Sequence, residues 1–176
     1  MKLNFFNKSP MLGMWSVLRD PDIVEIAGNS GFDFTIIDFE HGPHSISDLS
    51  NMVRAGHNSG MLVGVRPSGN FEKEILRCME SNPDGIFIPH IKTAKEAKIA
   101  VNSCLYPPFG TRGSSGFTRS SNYGMSQFST HKDSQNSKIF ICILIESLEG
   151  LENLTSIIKS CPRIDCIYFG TYDIFC

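Results

Sequence analysis

The sequence predicts an α/β protein built on a parallel β-sheet covered by helices. Three observations carry that prediction. Short apolar runs alternate with helix-patterned segments four times in succession. The runs are apolar throughout rather than alternating, as strands buried on both faces require. Acids, histidines and an arginine gather where those runs end. At 176 residues, 41% hydrophobic and 19% charged, residues 1–176 make one domain with its own core and are too few for two.

The first unit is the run "MLGMWSVL" (11–18) followed by "DPDIVEIAGNSG" (20–31), with Asp20 as the helix cap, Pro21 at the first helical position and Gly31 as the stop. "FTIIDFE" (34–40) is the second strand. In the helix after it (45–60), Ile46, Leu49 and Val53 fall at helical spacing, and Ser45 with Asp48 suits a capping box. "MLVGVRP" (61–67) precedes "NFEKEILRCMESNP" (70–83), and "GIFIPHI" (85–91) precedes "TAKEAKIAVNSCLYP" (93–107).

The rhythm then breaks. Residues 108–137 are rich in Gly and Ser, carry Arg112 and Arg119, and form too long a stretch for an ordinary connector; they predict a functional loop with a short strand or helix inside. "KIFICILIE" (138–146) is the most apolar strand, "SLEGLENLTSIIKSCP" (147–162) its helix, and "IDCIYFGTYD" (164–173) a last strand. That makes six strands, or seven with one in the loop. The order fits either an open doubly wound sheet or a (β/α)8 barrel incomplete at its C-terminus, since a whole barrel takes about 250 residues.

Composition excludes several functions. Lys and Arg number 16 against 18 Asp and Glu, a net charge of -2, so no surface-wide attraction to nucleic acid or an acidic membrane is expected. The start has no signal-peptide pattern, and no run approaches the roughly 18 apolar residues of a membrane helix. The six cysteines lack CxxC pairing and sit mostly in apolar segments, as reduced buried thiols do. A soluble cytoplasmic protein is expected, in which the sequons at Asn7 and Asn153 are not glycosylated.

Asp38, Glu40 and His41 end the second strand, Arg66 the third, His90 the fourth, Glu146 the fifth and Asp173 the last. Carboxyl ends of strands are the active-site face of both parallel architectures. Glu146 and Asp173, one repeat apart, place two hard oxygen ligands side by side, which suits Mg2+ or Mn2+. Each residue also has a plainer reading. The two carboxylates serve as well for helix caps; Arg66 alone reads as a sheet-end arginine; His90 reads as packed or capping; His44, His57 and His131 read as surface. Gly110, Gly113 and Gly116 match a phosphate loop only loosely, because no strand leads directly through them to a helix.

Taken in order, "EIAGNSGFDFTIIDFEHGPHS", "GVRPSG", "GIFIPHIKTAKEA", "YPPFGTRGSSGFTRSSNYG", "ILIESLEGLENL" and "YFGTYD" resemble successive signature blocks of the HpcH/HpaI aldolase family, metal-dependent pyruvate aldolases related to citrate lyase beta chains. The resemblance runs collinearly from about residue 11 to 173. It implies a TIM barrel of the phosphoenolpyruvate/pyruvate type, lacking here its closing strand and helices. It implies reversible aldol cleavage of a 4-hydroxy-2-oxo acid to pyruvate and an aldehyde through a pyruvate enolate. By the same resemblance His41 is the base, Asp38 the acid that pairs with it and orients its ring, and Arg66 the contact to the keto acid. Glu146 and Asp173 are the ligands of Mg2+ or Mn2+, with Co2+ or Zn2+ as alternatives. Gly170, Thr171 and Tyr172 mark the backbone that binds the substrate carboxylate. The implied partners are a small keto acid and further copies of the chain in a homo-oligomer.

The chain departs from the family where Thr171 and a bulky Tyr172 precede Asp173, and where Asn82-Pro83 replaces a common Gly-Ala turn. Two other readings stand beside the aldolase: a citrate-lyase-like enzyme acting on a CoA thioester, disfavoured by the short "RGSSGFTR" loop and the lack of an extended basic site, and a non-catalytic barrel fragment.

Overall fold

The computed structural model describes residues 10–125 and 127–175. The chain runs β1 (Gly13–Ser16), α1 (Pro21–Asn29), β2 (Phe34–Asp38), α2 (Ile46–Asn58), β3 (Leu62–Arg66), α3 (Glu72–Glu80), β4 (Gly85–Ile88), α4 (Ala94–Cys104), a 3-10 turn (Arg119–Gly124), α5 (Phe128–Lys138), β5 (Phe140–Ile145), α6 (Leu148–Glu152), α7 (Leu154–Ser160), β6 (Cys166–Phe169) and α8 (Thr171–Phe175). The strands form one parallel sheet in the order β1-β2-β3-β4-β5-β6. A doubly wound sheet reverses its strand order part-way. This one never does, so the winding runs in one direction. The sheet also curls: β1 and β6 are its opposite edges, yet the rings of Trp15 and Tyr168 lie 5.7 Å apart. The result is an α/β half-barrel of six parallel strands.

The unbroken apolar runs follow from this curl. Alternate residues of β5 face opposite sides, and both sides are buried. Ile141, Ile143 and Ile145 pack outward with Leu49, Met52, Ile75, Ala97 and Ala100. Phe140, Cys142 and Leu144 pack inward with Ile36 and Phe87. Burying a residue such as Ile143 is worth about 1.5–3 kcal/mol over leaving it in water, so a polar residue on either face would be costly.

The expected caps are in place. Asp20 accepts from the Asp22 N–H at 3.0 Å, and the Ser45 N–H donates to Asp48 at 2.8 Å. A further device repeats. Asp33, Asp84 and Asp165 each precede a strand and accept a backbone N–H from the start of the strand before or the residue leading into it: Leu12 at 2.9 Å, Val63 at 2.8 Å and Ile141 at 3.0 Å. These carboxylates fix the pairs β1/β2, β3/β4 and β5/β6 at their amino ends.

Several expectations need correction. The helix read over 147–162 is two helices, α6 and α7, meeting at Asn153, whose side chain donates to the Lys92 carbonyl at 3.0 Å. The last strand ends at Phe169 rather than Asp173, and Thr171–Phe175 is a helical turn. The Gly/Ser-rich stretch contributes no strand among the described residues, and it lies at the amino end of the sheet, away from the strand ends that carry the candidate chemistry. There Arg112, fully buried, donates to Met79 O at 3.1 Å and Glu80 at 3.0 Å, and stacks on Tyr106 at 4.4 Å. Arg119 donates to Ser81 O at 2.9 Å and meets His57 Nδ1 at 3.1 Å; the other ring nitrogen of His57 lies 2.9 Å from Asp84. Arginine only donates, so His57 accepts at Nδ1 and donates at Nε2. The loop is thus a strap across the sheet's amino end. Two histidines read as surface belong to this packing: His57 is half-buried, and His131 is buried against Tyr106. The Asn7 sequon and Cys176 lie outside the described residues.

Candidate active site

Parallel pairing sets Asp38 of β2 directly opposite Arg66 of β3. The Asp38 carboxylate takes the guanidinium in a fork, accepting from Nε at 2.8 Å and Nη2 at 2.5 Å. It also accepts the backbone N–H groups of Glu40 at 3.0 Å and His41 at 3.3 Å. Burial pushes the Asp38 carboxyl up, but the Arg66 hydrogen bonds and charge, with the two N–H groups, outweigh it and hold the carboxyl below its ordinary range. Burial likewise opposes the charge on Arg66, and Asp38, Glu40 and Glu146 together outweigh it and push its pKa up.

Arg66 gathers three carboxylates. Its Nη1 lies 2.9 Å from Glu40 Oε2 and 3.9 Å from Glu146 Oε1. The Glu40 contact is an ion pair without hydrogen-bond geometry, which leaves Oε2 buried and hydrogen-bonded to nothing. Beneath the guanidinium lies the Trp15 ring at 4.6 Å, a cation–π contact that also covers the inner side of the sheet.

His90 closes the arrangement from β4. Its backbone is left-handed (φ 57°), a conformation that costs a residue with a Cβ and that gathers at functional sites. That turn aims its N–H at Glu146 Oε2, 3.0 Å away, and brings its ring within 3.4 Å of the same oxygen and 2.6 Å of Glu40 Oε1. The ring itself is half exposed. The reading of His90 as packed or merely capping is therefore corrected: it bridges two buried acids at the mouth of the site.

The structure treats the sequence-predicted residues unequally. Asp38, Arg66 and Glu146 come together, buried. His41 is beside them and exposed, and it meets Asp38 through its main-chain N–H, whereas the expected pairing is through its ring. Gly170 sits under Glu146, where a Cβ would stand 2.5 Å from Glu146 Cγ. Its own N–H is used in the sheet, donating to Ile145 O at 3.0 Å. Thr171, Tyr172 and Asp173 occupy the exposed turn of α8 rather than a strand end, and the Tyr172 ring points into solvent, 89% exposed. Among the described residues no group of three or more His, Cys, Asp or Glu is arranged to hold a metal on its own. His44, read as surface, is half-buried against Phe39 and bonded to Ser16 O at 3.0 Å.

Two participants carry little signal in the sequence. Glu40 follows Asp38 at the two-residue spacing that returns a side chain to the same side of an extended chain, which marks its position but not its role. Trp15 lies within an apolar run that points only to a strand.

Residues 11–176 match the HpcH/HpaI aldolase/citrate lyase family. The chain belongs to that family. Relatives within reach of this HpcH/HpaI chain include 5-keto-4-deoxy-D-glucarate aldolase of Shigella boydii, 33% identical over 95% of this chain and 64% of that protein. Another is hydroxypyruvate/pyruvate aldolase of Sagittula stellata, 28% identical over 93% of this chain and 63% of that protein. Among solved structures, a family protein from Burkholderia cenocepacia superposes with a TM-score of 0.87 at 25% identity, over 94% of this chain and 65% of the other. An HpcH/HpaI aldolase from Desulfitobacterium hafniense gives 0.85 at 27% identity, over 93% and 63%. The chain thus spans just under two thirds of the length of the relatives it matches.

Proposed function

We propose that the protein is a pyruvate aldolase, cleaving a 4-hydroxy-2-oxo acid to pyruvate and an aldehyde and running the reverse addition. The observation that carries this reading is one guanidinium, Arg66, held among Asp38, Glu40 and Glu146 at the carboxyl ends of the strands. The named aldolases among its relatives point the same way. The half-barrel is read as the first six strands of a TIM-type barrel, and the chain as a cytoplasmic homo-oligomer. No helix among the described residues is long and apolar enough to cross a membrane.

The donor set fits a hard divalent cation such as Mg2+ or Mn2+. Three carboxylates share the single positive charge of Arg66, so the pocket holds excess negative charge that a cation would balance. In the proposal Glu146 and Asp173, the latter on the exposed turn of α8, would hold the ion. A divalent ion, when bound, supplies electrophilic stabilisation of the charge that develops on a keto oxygen.

The chain's own residues do the rest. Arg66, fixed by the Asp38 fork, faces the keto acid with donors that need no reorganisation as negative charge grows. His41 takes the methyl proton onto its imidazole, and Asp38 holds the turn that carries it. Gly170 leaves room for Glu146, and the first-turn N–H groups of Thr171 and Tyr172, which a helix start leaves without intrahelical partners, receive the substrate carboxylate. Deuterium exchange into the methyl group of pyruvate, followed by NMR with Mn2+ or Mg2+, tests this directly. Metal-dependent exchange that disappears in His41→Ala is expected; absence of exchange in the folded chain overturns the reading.

A further inference from the structure

Cys142 on β5 and Cys166 on β6 are direct register partners on adjacent parallel strands. Both pack on the inner face of the sheet with Phe140 and Leu144. Neighbouring strands run about 4.8 Å apart, inside the roughly 4.4–6.8 Å between Cα atoms that a disulfide spans. Register partners on neighbouring parallel strands point their side chains to the same face, so the two thiols stand side by side. Each S–H donates to a backbone carbonyl, Cys142 to Ile143 O at 3.7 Å and Cys166 to Ile167 O at 3.6 Å. Cys142 is fully buried, while Cys166, near the open edge, is partly exposed.

We propose that Cys142 and Cys166 form a reversible cross-strand dithiol/disulfide pair, closed by a peroxide and reopened by a small thiol reductant. The inference stands independently of the aldolase reading.

The two sulfurs have different parts. Cys166 is partly exposed and Cys142 is fully buried, so a peroxide reaches Cys166 first. The adjoining Cys142 thiol draws the Cys166 thiol below its ordinary range, against opposition from burial and the nearby Asp165 carboxylate, while the same contact and burial push Cys142 up. Cys166 is therefore the nucleophile. Elsewhere burial pushes the Cys104 thiol up to about 12 and Cys78 higher still, so neither competes. The Cys166 thiolate attacks one oxygen of hydrogen peroxide and breaks the O–O bond. Hydroxide leaves and is protonated to water, and the sulfur becomes a sulfenic acid. The Cys142 sulfur then attacks the Cys166 sulfur; the S–O bond breaks and the departing hydroxide carries off the Cys142 proton as a second water. Two thiols and one peroxide thus give one disulfide and two waters. Two molecules of a glutathione-type thiol reverse the bond by exchange and leave as their own disulfide.

The pair separates on digestion, because trypsin places Cys142 in peptide 139–159 and Cys166 in peptide 164–176. Cys176 shares the second peptide, so the experiment uses the full chain carrying Cys176→Ser. Treatment with dilute hydrogen peroxide, alkylation of free thiols and mass spectrometry should find the two peptides joined, about 2 Da below their sum for the two hydrogens lost, and separated again by dithiothreitol. Adding Cys142→Ser should remove the link and leave Cys166 as a sulfenic acid that dimedone traps. Unmodified thiols, sulfinic acid at Cys166 without a link in the parent chain, or a link through Cys161 each overturns the proposal.

Discussion

Asp38 and Arg66 occupy the last positions of neighbouring strands, opposite each other in register, and the carboxylate grips the guanidinium through two parallel hydrogen bonds of 2.8 and 2.5 Å. One cation thereby offsets part of the negative charge of a pocket that also contains Glu40 and Glu146. The site's geometry and the stability of the sheet end depend on the same side chain.

Replacing Arg66 by Met removes the cation from among three buried acids and should cost about 3–5 kcal/mol. Arg66→Lys keeps the charge but not the fork and should cost about 2 kcal/mol, the size of a charged hydrogen bond. Urea denaturation of the three proteins should rank them in that order. Equal midpoints would show that Arg66 does not offset the pocket's negative charge.

The pH dependence follows from Asp38. Its folded-state pKa lies below the 3.8 of an unperturbed aspartate, so its contribution is present in full above that value and is lost as the pH falls through the folded pKa. Thermal unfolding between pH 7 and pH 3 should show the native chain losing stability at the acid end, with a shallower decline for Asp38→Asn. Parallel curves would mean that another carboxylate governs acid unfolding.

Gly170→Ala places a methyl group against Glu146. Overpacking of this kind costs about 1–3 kcal/mol. If Glu146 is a metal ligand as proposed, moving it should also weaken Mn2+ binding by about 10–100-fold. Calorimetric titration with Mn2+ gives the second figure, and unchanged affinity would remove Glu146 from the proposed ligand set.

Arg112 distinguishes a strap from a functional loop. Arg112→Ala deletes a buried guanidinium from beneath α3 and should lower stability by about 3 kcal/mol by leaving buried acceptors unpaired. The rate of pyruvate methyl exchange per folded molecule should not change. A fall in that rate with stability intact would return the loop to the active site.

Much of this was legible in the sequence because period and strand-end chemistry are local signals. The continuous apolar runs gave the strands, Asp20 and Ser45 their helix starts, and Asp38, Arg66 and Glu146 their place at one end of the sheet. What escaped notice depends on distant parts of the chain. The strap at 108–137 looked functional because Gly and Ser mark irregular backbone, but its destination is set by Arg112 reaching Met79 and Glu80, more than thirty positions back. His90 looked bland because a lone histidine usually is; its left-handed backbone and two acidic partners appear only in three dimensions. Asp173 was read as a strand end because the apolar pattern continues through Tyr168 and Phe169, and only the ladder shows β6 stopping there.

Trp15 is the sole tryptophan in the chain. One side of its indole lies 4.6 Å from the Arg66 guanidinium and it stands 5.7 Å from the ring of Tyr168 on the far edge. The protein therefore carries its own optical gauge. Its emission should report the charge state of the pocket beside it, and a change in that emission on replacing Tyr168 by Leu should report how closely the two edges are held, without any label being added.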